Sequence, residues 1–294
     1  MIDVAVVGSV NVDRSVDVPE APKRGATILG SAVRRGPGGK GANQAVALAR
    51  LQRTVVLVGA VGHDPDGEWM QEVLDSEGVG TSCVRRLDVP TGQAFVFVEP
   101  DGESTIVVSP GANGALTAAH IDENAGTIAD ARCVLAQQEV PAEAIARAAM
   151  HCRGLLVLNP APARRVAPEV LARVDVLVPN RVELAELAMQ PVPEDVEQVI
   201  AVARALRGPA AVVVTLGSDG CVVVTPERAD HVPAVPVKAV DATAAGDTFC
   251  AALVDGLLGG GTLLEAARWA NAAAARAVER RGAQESIPRR VELV

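Results

Sequence analysis

The stretch VLAQQEVPAEAIARAAMHCRGLLVL, Val134–Leu158, decides the fold. Its ends, Val134–Ala136 and Leu155–Leu158, are continuous apolar blocks, the pattern of strands covered on both faces. Between them Pro141–His151 reads as a helix, and Pro141 suits a first turn. The same rhythm recurs outward in both directions. Strands are expected at Val4–Gly8, Val55–Val58, Val174–Val178 and Val212–Thr215, with Cys221–Thr225 following the last. Helices are expected at Gly41–Leu51, Glu68–Glu77, Ala118–Ile128, Asp195–Leu206, Thr248–Leu258 and the Ala-rich Leu263–Val278. Asp66 and Thr117 are the expected N-caps of the second and third of these helices. Strand–helix alternation predicts an α/β fold, a mostly parallel sheet with helices on both faces.

Two stretches, Arg14–Arg35 and Thr91–Ser109, lack a long helical pattern. The second reads as a hairpin, Ala94–Val98 and Ser104–Ser109 around a turn at Pro100-Asp101-Gly102. Together they predict a small β subdomain beside the α/β core.

Composition narrows the function. The chain has 294 residues, 49% hydrophobic but only 2% aromatic, with no Tyr, so its core is aliphatic. That length corresponds to one or two domains at roughly 150 residues each. So few rings leave no platform for stacking single-stranded nucleic acid. Lys and Arg number 27 against 36 Asp and Glu, a net charge of −9, without the basic footprint of a nucleic-acid binder. No apolar run approaches the roughly 18 residues of a spanning helix. The N-terminus lacks the basic region of a signal peptide. Cys83, Cys133, Cys152, Cys221 and Cys250 never form C-x-x-C, which fits a reduced cytoplasm.

Polar residues follow the apolar blocks: Asn11 and Asp13, Gln138 and Glu139, Asn159, Asn180, and Thr215. Carboxyl ends of parallel strands share one edge, where ligands bind, so these residues predict a polar crevice. Gly36-Pro-Gly38-Gly39-Lys40-Gly41 matches G-x-G-x-x-G, but it does not directly follow the first strand, as a dinucleotide site requires. Its glycines imply close backbone approach at a helix start. Lys40 and Asn43 share one helix face, and Asn11 and Asp13 share one strand face. Such amides and carboxylates suit a polyol.

In Asp241-Ala-Thr243-Ala244-Ala245-Gly246-Asp247-Thr248-Phe249 small residues precede a helix. Its first N–H groups can stabilise a transferred phosphoryl group, and Asp247 can accept a hydroxyl proton. Asn180-Arg-Val-Glu183 reads either as a site for hydrated Mg²⁺ or as a capping box, and spacing alone favours the cap. Thr215-Leu-Gly217-Ser-Asp-Gly220 reads as a tight turn, over which a nucleotide could lie. Cys250 sits three residues after Asp247, near the same face; were it accessible, alkylating it would slow turnover.

Gly8-Ser-Val-Asn11-Val-Asp13, Gly38-Gly39-Lys40-Gly41-Ala-Asn43-Gln44, Asn159-Pro-Ala-Pro-Ala163, Asn180-x-x-Glu183, the Gly246-Asp247 motif and Arg281-Gly282-Ala-Gln-x-Ser286 resemble the ribokinase-like (PfkB-type) carbohydrate kinase family across nearly the whole chain. The resemblance implies a three-layer α/β sandwich over residues 1–294, with a lid of roughly 14–35 and 91–109 that commonly mediates homodimers. It implies ATP-dependent phosphorylation of the D-ribose 5-hydroxyl in the cytoplasm. Asp247 would be the general base, and Ala244, Ala245 and Gly246 the anion hole. Asn11, Asp13, Gly39, Lys40, Asn43 and Glu139 would contact sugar. Asn180, Thr215, Gly217, Gly220, Gly246 and Asn271 would line the nucleotide site, with Glu183 acting on Mg²⁺ through water. Asp241, Thr243, Ala277, Arg280, Gly282 and Ser286 would hold K⁺. The competing readings are a deoxyribose or nucleoside kinase, a non-catalytic sugar sensor of the same fold, and, on the displaced glycine motif alone, an NAD-dependent oxidoreductase.

Overall fold

The computed structural model describes residues 1–25, 27–100 and 104–293. In chain order the strands are β1 (Val4–Val7), β2 (Asn11–Asp17), β3 (Arg34–Gly38), β4 (Val55–Gly62), β5 (Val84–Leu87), β6 (Gly92–Val98), β7 (Ser104–Ser109), β8 (Cys133–Gln137), β9 (Leu155–Asn159), β10 (Val176–Leu177), β11 (Ala211–Thr215), β12 (Cys221–Val224) and β13 (Ala229–Val232). The helices are α1 (Lys40–Arg50), α2 (Pro65–Ser76), α3 (Ala118–Glu123), α4 (Ala125–Asp130), α5 (Ala142–His151), α6 (Pro168–Leu171), α7 (Arg181–Ala188), α8 (Val196–Ala205), α9 (Ala245–Leu258) and α10 (Leu263–Ala277).

The main sheet has nine strands in the order β13-β12-β11-β10-β9-β8-β1-β4-β5. From β5 through β11 neighbouring strands run parallel, and β12 and β13 add antiparallel pairs at one edge. Alternate side chains of β1 enter different cores, Val4 and Val6 on one face and Ala5 and Val7 on the other. That is why the strands read as unbroken apolar blocks. The first face is covered by α1, α2, α9 and α10, the second by α3, α4, α5, α7 and α8.

Both β stretches join in a separate four-stranded sheet, ordered β3-β2-β6-β7. Pro37 lies in β3, an edge strand, where a missing N–H costs no ladder bond. β6 and β7 pair antiparallel as the expected hairpin; its Asp101-Gly102 turn lies outside the described residues. Asp66 on α2 ties this sheet to the core through ion pairs with Arg14 and Arg35, each at 2.7 Å. Arg35 also stacks over the Trp69 ring, 3.9 Å from its centroid.

Several boundaries differ from the sequence reading. The N-cap of α2 is Asp64, whose carboxylate accepts from Gly67 N at 2.7 Å, and not Asp66. Pro65 at the first helical position pre-sets the turn and leaves the extended residue before it to cap. The Ala118–Ile128 helix breaks at Asn124 into α3 and α4. The Val174–Val178 strand keeps ladder pairing only at Val176–Leu177. β4 runs on to Gly62 because β5, a short strand with a charged centre, pairs with its second half.

On the α9 side, the buried Asp255 carboxylate accepts from Arg53 Nε and Arg290 Nη2 at 2.6 Å and from Trp269 Nε1 at 2.9 Å. Removing one partner of such a buried cluster leaves charges uncompensated. Asp255→Ala should lower the unfolding free energy by about 3–5 kcal/mol, read from urea denaturation. A loss under about 1 kcal/mol, the value of an exposed pair, would contradict a structural role.

Candidate functional site

The parallel register brings the strand ends to one line. Ala136 lies opposite Val7, Asn159 opposite Gln137, and Thr215 bridges Asn180. The sheet order reverses between β1 and β8, since β4 and β5 lie beyond β1 and the later strands beyond β8. Such a switch point opens a crevice at the carboxyl ends. A cleft of about 180 Å³ lies there, lined by Lys40, Asn159, Ala161, Val178, Asn180, Glu183, Thr215, Ala242, Ala244, Gly246, Asp247 and Cys250, none of them aromatic.

The glycine run lets α1 begin against the β1–β2 turn. Gly39 has φ 91°, and a Cβ there would sit 2.7 Å from Asn11 N. A Cβ at Gly38 would sit 2.1 Å from the Asp13 carboxylate, so that carboxylate lies flat against backbone. No side chain of the α1 N-cap bonds its first turn. Glu139 does so from the end of β8: its Oε2 accepts from Lys40 N at 3.1 Å and from Ser9 Oγ. Asn11 is held by Asn113, whose Nδ2 donates to Asn11 Oδ1 at 2.8 Å.

Asp247 lies in the first turn of α9. Ala244, its N-cap, adopts φ 59°, and no side chain caps the helix. A left-handed Ala costs about 1–2 kcal/mol, and here it turns the chain sharply into α9. The Ala245 N–H donates to Ala242 O at 3.2 Å. Gly246 and Asp247 begin the helix, where N–H groups lack intrahelical acceptors. A Cβ at Gly246 would meet only open space. Asn43 Nδ2 donates to Asp247 Oδ2 at 3.0 Å, and Gln44 Nε2 donates to Oδ1 at 2.9 Å.

The charges respond to one another. Burial works against the Lys40 ammonium, but the carboxylates of Asp247, Glu139 and Glu183 raise its pKa above the usual lysine value. Burial raises the pKa of Glu183. Burial, with the carboxylates of Asp247 and Glu183, holds the Cys250 thiol well above its usual range. Cys250 is 1% exposed, so the alkylation expected of an accessible thiol does not apply.

Asn180 and Glu183 form the capping box that spacing favoured: Glu183 N donates to Asn180 Oδ1 and Asn180 N to Glu183 Oε2, both at 2.8 Å. Both still line the cleft. Beyond Thr215 the chain makes a 3-10 turn, Gly217–Asp219, inside the β11–β12 hairpin. Gly220, φ 89°, would place a Cβ 2.1 Å from Val232 O. Asn271 lies outside the cleft lining, its Nδ2 donating to Val232 O and Pro233 O at 3.1 Å. A wider depression of about 510 Å³ adjoins the turn between Arg181, Asp195, Ser218 and His231; the carboxylate–amide cluster does not line it.

A separate crossing joins the loops around Asp241 and Gly282. Asp241 Oδ1 accepts from Thr243 N at 2.9 Å and Thr243 Oγ1 at 2.6 Å, and Oδ2 accepts from Gly282 N at 2.9 Å. Burial works to raise this carboxyl, but those donors hold it below its usual range. Ser286 Oγ donates to Ala283 O at 2.8 Å and lies 3.5 Å from Thr243 O. Ala277 O accepts from Arg280 N at 3.2 Å, while the Arg280 side chain pairs with Glu292.

Sequence reading missed Ser9, Gln44 as a partner of Asp247, Asn113, Gln137 and Gln284. All are buried polar residues, and their partners lie far away in the chain.

The comparisons with known proteins agree with one another. A family model described as pfkB family carbohydrate kinase matches residues 1–290. A ribokinase of Haemophilus influenzae is 36% identical over 293 residues, covering 98% of this chain and 95% of the relative. A deoxyribokinase of Salmonella typhi is 34% identical over 294 residues, covering 98% and 96%. The structure of Arabidopsis thaliana ribokinase complexed with ribose and ATP superposes with a TM-score of 0.92 at 33% identity, covering 100% of this chain and 98% of that one. Among described residues, no helix is long and apolar enough to cross a membrane.

Burial raises the Asp13 carboxyl to about 7, aided by the carboxylates of Glu139, Asp247 and Glu285. A carboxyl raised on folding stabilises the fold fully below its unfolded value, and that contribution is lost as pH rises through about 7. Asp13→Asn should therefore raise Tm, by little near pH 4, more at pH 5 and by several degrees at pH 8. A Tm difference independent of pH would contradict this.

Proposed function

The chain belongs to the pfkB family of carbohydrate kinases, and we propose that it transfers the γ-phosphoryl group of ATP to the 5-hydroxyl of D-ribose. The observation that carries this reading is the convergence of Asp247, at the open N-terminus of α9, with Asn43, Lys40 and Glu183 around one cleft. In this reading the sugar lies against Asn11, Asp13, Gly39, Lys40, Asn43 and Glu139. Asp247 accepts the proton as the primary hydroxyl attacks. The N–H groups of Gly246 and its neighbours in the Ala244–Asp247 turn meet charge growing on the phosphoryl oxygens. Phosphoryl transfer asks mainly for positioning and electrostatic stabilisation, which these groups provide.

The triphosphate runs from α9 along Asn180 and Thr215 to the Gly217–Gly220 turn. Asn271 contributes beneath that turn by holding the end of β13. The free Glu183 carboxylate oxygen and the polar mouth beside Asn180 fit a hydrated Mg²⁺, which keeps several of its waters and neutralises phosphate charge. Asp241 and Thr243, with Ser286 and the backbone of Ala277, Arg280 and Gly282, form an oxygen-rich crossing that fits K⁺. It lies just before the strained Ala244 turn, so a cation there would set the N-terminus of α9. The four-stranded sheet carries Asn11 and Asp13 and serves as a lid that excludes water.

A deoxyribose kinase is the second reading, favoured by the Salmonella relative at 34% identity. The two differ by one hydroxyl. A site that hydrogen-bonds a hydroxyl strongly rejects an analogue lacking it.

ADP release should be measured with D-ribose, 2-deoxyribose, hexoses and nucleosides, with and without K⁺. We expect the highest kcat/KM with ribose, at least about tenfold above deoxyribose, and stimulation by K⁺ over choline. Preference for deoxyribose or a nucleoside would overturn the substrate, and indifference to K⁺ the cation site.

A further inference from the structure

We propose that Gln44 is a positioning residue for the reaction, aiming the Asp247 carboxylate through a directional chain of buried amides. This inference rests on the reading of Asp247 as the base. The chain starts at a group that can only accept, the backbone carbonyl of Val178. Asn159 Nδ2 donates to it at 2.8 Å, so Asn159 Oδ1 must face the other way. Gln44 Nε2 donates to that oxygen at 3.2 Å and to Asp247 Oδ1 at 2.9 Å. Both hydrogens of the Gln44 amide are thereby committed. Its oxygen accepts from Gln137 Nε2.

A flipped Gln44 would turn a carbonyl oxygen toward the Asp247 carboxylate and the Asn159 carbonyl oxygen, and both would repel it. The amide is therefore locked as a donor. Asn43 Oδ1 accepts from Gln284 Nε2 at 3.3 Å, leaving Nδ2 to donate to Asp247 Oδ2. Each carboxylate oxygen thus meets one amide donor, which restricts both position and rotation of the group.

Gln44 and Gln137 are 0% exposed, Gln284 2%, Asp247 7% and Asn159 8%. In such surroundings hydrogen bonds are strong and a missing partner is costly. Gln137 leaves its own Oε1 without a partner, while its NH₂ holds Gln44. A network serving stability alone would gain by satisfying that oxygen. Gln44 does not line the cleft, so it acts on the reaction through the two lining residues it holds, Asp247 and Asn159.

The test uses three variants of the full chain: Gln44→Met, which keeps length and removes both donors; Gln137→Met, which removes the donor to the Gln44 oxygen; and Asp247→Asn. Steady-state kinetics with ribose and ATP should be paired with equilibrium binding of both ligands and with Tm. Gln44→Met should lower kcat about 100-fold, the scale of a misplaced catalytic group. Its ligand dissociation constants should stay within about twofold, since it touches neither ligand. Gln137→Met should lower kcat less, in the same direction and again without loss of binding. A Gln44→Met variant that is folded and retains its kcat, or whose kcat falls only with matching losses of binding, overturns the inference. An Asp247→Asn enzyme of near wild-type rate would instead overturn the base itself, whichever way Gln44→Met behaves.

Discussion

The cleft depends on the clasp between α1 and α9. Asn43 and Gln44 of α1 each donate to one oxygen of Asp247 in α9, at 3.0 and 2.9 Å. Consecutive residues point in different directions on a helix, so both can reach one carboxylate only if the helices lie close. Small side chains permit this. Ala42 and Ala45 of α1 share a buried core with Ala251 and Ala252 of α9. The glycines before α1 have the same effect at its other end, letting Lys40 N reach Glu139 and the helix start abut Ser9 and Asn11. Packing of small residues on one face of the sheet thus sets the geometry of polar groups at its edge.

That geometry reconciles an acidic chain with an anionic ligand. Asp13, Glu139, Glu183 and Asp247 lie in one region; burial, aided by the carboxylates of Glu139, Asp247 and Glu285, raises Asp13 to about 7, and the carboxylates of Asp247, Glu139 and Glu183 raise the Lys40 pKa against its burial. A triphosphate entering such a field needs compensation. On the proposed reading it comes from Lys40, from the partnerless N–H groups of α9 and from bound cations. A basic surface is then unnecessary, and a net charge of −9 is compatible with ATP use.

The layers of the fold were legible because burial on both faces writes itself as unbroken apolar blocks, as in Val4–Val7 and Leu155–Leu158. The residues just beyond those blocks were legible as a crevice because parallel strands end together. Other features were not. β5 has a charged centre, Arg85-Arg86, and lies at a sheet edge, so no apolar block marks it. Asp66 looks like a cap, yet Pro65 hands that task to Asp64 and frees Asp66 to pair with two arginines. The partnership of Gln44 with Gln137 and Asp247 spans 93 and 203 residues. Spacing rules reach only along one element, so the motif containing Gln44 could point to a site but not to its partner. The capping box at Asn180 and Glu183 shows the opposite case, where the local reading held and any metal role must be added to it.

On the proposed reading a sugar's primary hydroxyl attacks the γ-phosphorus of ATP, its proton passing to Asp247, so that phosphate ends on a CH₂ carbon. The most direct measurement is the proton-coupled phosphorus NMR spectrum of the product formed from ATP and ribose. Phosphate on the 5-carbon couples to two methylene protons and gives a triplet. A doublet, the mark of phosphate on a ring or anomeric carbon bearing one proton, or the appearance of inorganic phosphate alone, would contradict it.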